Sequence, residues 1–115
     1  MAIFVKTNEP AELLNRIREG IRKKNIDTWL CDSAGDFTHD TDQWRYRAWI
    51  RPFVETDRIV FGILCRKDHN LSIADYAIYH GRFAEMLLRH FDTACQSMEI
   101  TPLGNKKYDT VNKAQ

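Results

Sequence analysis

Residues 44–67 read WRYRAWIRPFVETDRIVFGILCRK, and the fold turns on how the two halves of this stretch face each other. Both halves are rich in aromatic and β-branched residues, and Glu55-Thr-Asp-Arg58 between them is a turn cluster, so the pattern predicts a β-hairpin. Side chains alternate along a strand. Arg45, Arg47, Trp49, Arg51 and Phe53 therefore share one face, and Tyr46, Ala48 and Ile50 share the other. A four-residue loop, Glu55 to Arg58, pairs Val54 with Ile59, Ile50 with Ile63 and Ala48 with Cys65. That register gathers Tyr46, Ala48, Ile50, Ile59, Phe61, Ile63 and Cys65 into an apolar floor. A slip of one residue would mix the arginines into it, which is strongly disfavoured.

Helices to cover this floor are legible on both sides. TNEP, residues 7–10, offers Thr7 or Asn8 as a cap and Pro10 for a first turn. Leu13, Leu14, Ile17 and Ile21 follow at helical spacing, Glu12 to Arg16 and Glu19 to Lys23 are i,i+4 pairs, and Asn25 is a stop signal. Downstream, Ser72 with Asp75 makes a capping box. Ile73, Tyr76, Ala77, Phe83, Ala84, Leu87 and Phe91 trace a stripe with His80 at its centre. AIFVK (2–6), DTWLCD (27–32) and SMEIT (97–101) read as strands, the last at a sheet edge. The expected order is β-α-β-β-β-α-β: an α+β fold, a two-layer sandwich of about five antiparallel-rich strands with both helices on one face. Residues 1–103 are expected as one domain, with 104–115 a polar, mobile tail.

Composition bounds the function. The chain has 115 residues, 43% hydrophobic and 29% charged, with a formal net charge of +1. That is enough apolar content for a core, and it lacks the overall positive excess of a typical nucleic-acid binder. Three dispersed cysteines, Cys31, Cys65 and Cys95, fit reduced thiols in the cytoplasm better than a disulfide scaffold. The apolar run before Lys6 is too short for a signal peptide, and no stretch approaches a membrane span. Phosphate-loop, dinucleotide, G-x-S-x-G and H-E-x-x-H patterns are absent, so no cofactor is implied.

The face opposite the helices is where the sequence directs attention. Arg45, Arg47, Trp49, Arg51 and Phe53, joined by Arg66 and by Val60 and Leu64 around a gap at Gly62, combine guanidinium groups with aromatics, the composition of binding hot spots. The expectation is an interaction domain that uses this face for a protein partner or a second copy of itself, or for nucleic acid or another anionic ligand. Two competing readings are internal: arginine stems lying over Trp49, or neutralisation by the acidic loop of Asp32, Asp36, Asp40 and Asp42. An enzyme is the alternative, using Cys31, Cys65 and His80, or a metal in the acidic loop with His39. The loop fits no EF-hand spacing, and no fourth zinc ligand accompanies the Cys and His set. His80 is expected buried and neutral, bonded to a backbone carbonyl or a tyrosine.

Overall fold

The computed structural model describes residues 2–41, 43, 45–66, 72–102 and 107–113. Ten elements follow in order: β1 (Ile3–Lys6), α1 (Pro10–Arg22), β2 (Trp29–Cys31), β3 (Phe37–His39), β4 (Ala48–Val54), β5 (Arg58–Arg66), α2 (Ile73–Phe91), a 3-10 turn (Asp92–Ala94), β6 (Ser97–Ile100) and β7 (Thr110–Lys113). Six strands pair antiparallel in the order β2-β3-β4-β5-β1-β6, and β7 runs parallel beside β5. The sheet is open, and the fold is α+β.

The hairpin register is the one that loop length and alternation require: Val54 faces Ile59, Ile50 faces Ile63 and Ala48 faces Cys65. One core joins the inner faces of Ile3, Val5, Ala48, Ile50, Ile59, Phe61 and Ile63 to the apolar sides of both helices. Leu13, Leu14, Ile17 and Ile21 come from α1, and Tyr79, Phe83, Met86, Leu87 and Phe91 from α2. Both helices therefore cover the same face.

Local detail departs from expectation in four places. Thr7 and Asn8 do not cap α1. Thr7 is buried instead, and its hydroxyl donates to the carbonyl of Ala94 at 2.8 Å. The helix end is a Schellman turn, in which Asn25 N–H donates to Gly20 O and Lys24 N–H to Ile21 O. Lys24 takes the left-handed position, φ 61°, and Gly20 leaves room for Ile26 to fold back, since a Cβ there would lie 2.7 Å from Ile26 Cδ1.

The second difference is β3. Phe37–His39, read as part of an acidic loop, is inserted between β2 and β4. All three residues are buried, and the Thr38 hydroxyl donates to Ala48 O at 2.9 Å. Third, this insertion delays the start of β4. Tyr46 stands at φ 60° with its N–H donated to Thr38 Oγ1, so it leaves the core floor and is 47% exposed. Trp44 lies outside the described residues. Fourth, the buried side of α2 is rotated from the expected stripe. Tyr79, His80, Phe83, Met86, Leu87 and Phe91 are buried, whereas Ile73 is 80% exposed and Ala77 also faces solvent. The Ser72–Asp75 capping box is present in both directions.

Where it is described, the C-terminal segment packs on the sheet. Tyr108 is buried, and β7 pairs with β5. No helix among the described residues is long and apolar enough to cross a membrane.

Candidate functional site

The face expected to be a recognition surface is instead largely covered. Trp49 is 1% exposed, opposite Leu64 in register and stacked by Tyr46 at 6.3 Å between ring centroids. Over Gly62 the backbone of Tyr108 crosses the sheet, and Asp109 Oδ1 accepts the Ile63 N–H at 3.0 Å. The Tyr108 ring meets Phe4 and Phe53 edge-on, and with Ala2 and Val60 forms a second small core. Its hydroxyl donates to Glu55 at 2.6 Å; this bond, and then Arg58, hold the Glu55 carboxyl below its ordinary pKa. The gap that glycine leaves in this face is thus filled by the chain's own C-terminal segment.

The arginines are answered from within the chain as well. Arg51 grips Asp36 with both arms of its guanidinium, Nε to Oδ1 at 3.0 Å and Nη2 to Oδ2 at 2.9 Å. The Asp36 side chain is 1% exposed, so this is a bidentate bond to a buried carboxylate. Asp32 caps the same loop by accepting from the N–H groups of Ala34 and Asp36. Arg45 sits in the turn before β4 and pairs with Asp40 at 2.5 Å. Arg47 remains exposed in that turn, Phe53 packs against Tyr108, and Arg66 ends β5 half-buried. Arg51→Lys keeps the charge and loses the fork. It should cost about 1.5–3 kcal/mol in urea unfolding, the value of one hydrogen bond to a charged group; an unchanged midpoint would mean that the second arm of the fork contributes nothing.

Burial, not a shared cleft, is what Cys65 and His80 have in common, and Cys31 is half-buried at the end of β2. His80 is buried with Nδ1 2.9 Å from Tyr76 O. Cys31 lies beside Arg22, and burial raises its thiol pKa more than Arg22 and Arg18 lower it. Cys65 is raised by burial too. Among the described residues no three His, Cys, Asp or Glu side chains come together to hold a metal.

A different set does converge. A cleft of about 470 Å³ lies between the loop that follows α1, the end of β3 and the polar side of α2. Trp29, His39, Arg82, Glu85, Arg89 and His90 line it. Its loop wall is held by Thr28 in the left-handed region, φ 71°, whose carbonyl accepts the Asp40 N–H. That conformation is a rare one for a β-branched residue and stores strain of roughly 1–3 kcal/mol. His39 is 7% exposed. Its ring stands edge-on to Trp29 at 5.1 Å, and Nδ1 lies 3.3 Å from the Thr41 hydroxyl. Burial, and after it Arg82, lower the His39 pKa below its ordinary value, against the opposing pull of Asp40 and Glu85.

Arg82 and Arg89 are two helical turns apart on one side of α2. Among the described residues neither has a carboxylate within ion-pair distance, in contrast to Arg45, Arg51 and Arg58. Glu85 lies between them in sequence without bridging to either. The arrangement offers two guanidinium groups with no carboxylate partner among the described residues, and an imidazole, to whatever enters the cleft. In the sequence Arg82, Glu85 and Arg89 have the pattern of an ordinary solvated helix face, and His39 stands among aspartates with the composition of a turn, so no signal joins them. A smaller hollow of about 310 Å³ at the start of α1 is lined by Glu9, Glu12, Arg16 and Gln96, among others, without a comparable group of cations. No family model, curated protein or solved structure matches this chain.

Proposed function

We propose that this chain is a small binding domain whose ligand is an anion, a carboxylate or a phosphate ester, held in the cleft on α2. The observation that carries this reading is the pair of guanidiniums, Arg82 and Arg89, that have no carboxylate partner among the described residues and face one concave surface with the buried His39. Arginine is the side chain best suited to bidentate capture of carboxylate and phosphate oxygens. Concave sites with a few convergent polar groups are where small ligands bind. The forms of the expectation that invoked a protein partner, a second copy or nucleic acid rested on an open Trp49 and unpaired strand arginines. Trp49 is buried and Arg45 and Arg51 are paired with Asp40 and Asp36, which favours a ligand in the cleft over one on that face. Three free thiols, Cys31, Cys65 and Cys95, fit a reducing, cytoplasmic setting for the domain.

The test is a sulfate titration followed by amide NMR. Shifts should concentrate at Trp29, His39, Arg82 and Arg89, and Arg82→Gln or Arg89→Gln should each weaken binding roughly tenfold, as loss of a charged hydrogen bond does. Shifts scattered over the surface, or affinity unchanged in the double variant, would rule the cleft out.

A further inference from the structure

We infer that His39 is the cleft's proton-dependent third cation, so that taking up an anion is coupled to taking up a proton at its imidazole. This rests on the anion-binding reading above and adds what regulates it. The geometry is specific to His39. It lines the cleft from the sheet side while Arg82 and Arg89 line it from α2. Its Nδ1 is turned to the Thr41 hydroxyl, which leaves Nε2 as the nitrogen available to a ligand. The ring is wedged against Trp29 and approaches Tyr79 at 6.3 Å, so its orientation is set by packing.

The charged surroundings make the imidazole responsive. Among the described residues, Arg82 and Glu85 face it from α2 and Asp40 from the turn after β3; Asp27, Arg89 and His90 stand around the rest of the cleft. In the empty cleft, burial and the positive charge of Arg82 favour the neutral ring. An anion seated between the arginines opposes both effects and favours imidazolium. The sign follows from linkage. The pKa of His39 is lower in the empty cleft than in the filled one, so binding takes up a proton between those two values. Affinity should rise as pH falls through that interval, level off below the empty-cleft pKa, and be insensitive to this group above the filled-cleft pKa. Reciprocally, the anion must raise the His39 pKa by the same factor.

The experiment uses sulfate, whose own charge is constant over the range, with the full chain and His39→Gln. From about pH 8 to about pH 5, the span in which imidazole charge changes, the native chain should gain roughly tenfold in sulfate affinity, an ordinary coupling factor. His39→Gln should stay flat. The His39 ring-proton shift, followed in the native chain with and without sulfate, gives the same answer without a substitution: its midpoint should move up when sulfate is present. A pH gain that survives in His39→Gln, or a His39 midpoint that sulfate leaves in place, overturns the inference while leaving the cleft intact. If sulfate produces no cleft-localised shifts at either pH, the anion-binding reading has failed and the inference falls with it.

Discussion

Trp49→Ala should destabilise the protein by about 3–5 kcal/mol, the usual cost of truncating a buried large aromatic. On alternation alone Trp49 belongs to the side of the sheet away from both helices, beside Arg47 and Arg51, where a tryptophan invites a role in recognition. Its 1% exposure changes the expectation. Leu64 across the strand pair is equally buried, and Tyr46 lies over the indole at a 28° interplanar angle. Removing the ring leaves a cavity lined by groups that cannot collapse into it, because β4 is held on one side by β5 and on the other by β3. Ile50→Ala, on the helix-covered face of the same strand, should cost about 2–5 kcal/mol. Urea unfolding of the two variants side by side compares the faces directly. Similar losses mean that β4 is buried on both faces. A Trp49→Ala variant within about half a kcal/mol of the native chain would behave as an exposed surface site does, and would restore this face as a binding surface.

The hairpin was readable because its signal is redundant: seven residue pairs must agree at once, and only one register puts Ala48, Ile50, Phe61 and Ile63 on a common side. The capping box at Ser72 was readable for a similar reason, since two reciprocal bonds require two particular residues three apart. Phe37–His39 was obscured by its neighbours. Three strand residues flanked by aspartates present the composition of a turn, and their pairing becomes visible only when β2 and β4 lie on either side. The rotation of α2 has a related cause. Ile73 and Ala77 are apolar, but the core takes in Tyr76 only in part and closes fully over the helix from Tyr79 onward, so they are left in solvent.

The site was harder to read than the fold. The arginines of β4 were conspicuous because they alternate within ten residues, yet the carboxylate that neutralises Arg51 is Asp36, fifteen residues upstream. The acidic loop was recognised as a possible counterpart, and burial of Asp36 decided the matter in its favour. The cleft draws one residue from β3, one from β2 and several from the far side of α2. None of these segments carries a motif. What marks the site is convergence: Arg82 and Arg89, without a carboxylate partner among the described residues, line one cleft with the buried His39, and that is a property of the tertiary structure.

Gly62 was noticed in the sequence as a gap in the arginine face, and its replacement is the second large effect expected. A Cβ at this position would stand 1.9 Å from the carbonyl oxygen of Tyr108 and 2.5 Å from its carbonyl carbon. Both are backbone atoms, so no rotamer change relieves the contact. Gly62→Ala must displace the segment that carries Tyr108, losing the ring's contacts with Phe4 and Phe53, the hydroxyl bond to Glu55 and the Asp109 bond to Ile63. The cost should be about 3–5 kcal/mol, close to that of truncating a buried aromatic. It cannot much exceed that figure, because letting the segment go is always open to the chain. The backbone of Gly62 needs no left-handed conformation, so alanine is otherwise welcome in the middle of β5 and should contribute about 0.5–1 kcal/mol of strand stability. The effect should therefore reverse sign with context. In a Tyr108→Ala background, where the segment has already lost its anchor, adding Gly62→Ala should be neutral or slightly stabilising, and the double-mutant cycle should show strong coupling. Two local readouts accompany the unfolding data: trypsin should cut at Lys107 in Gly62→Ala before it does so in the native chain, and the Glu55 carboxyl, held low chiefly by the Tyr108 hydroxyl and then by Arg58, should titrate nearer its ordinary value. If the two substitutions simply add, and Lys107 stays protected, the C-terminal segment is not what fills the space that glycine leaves.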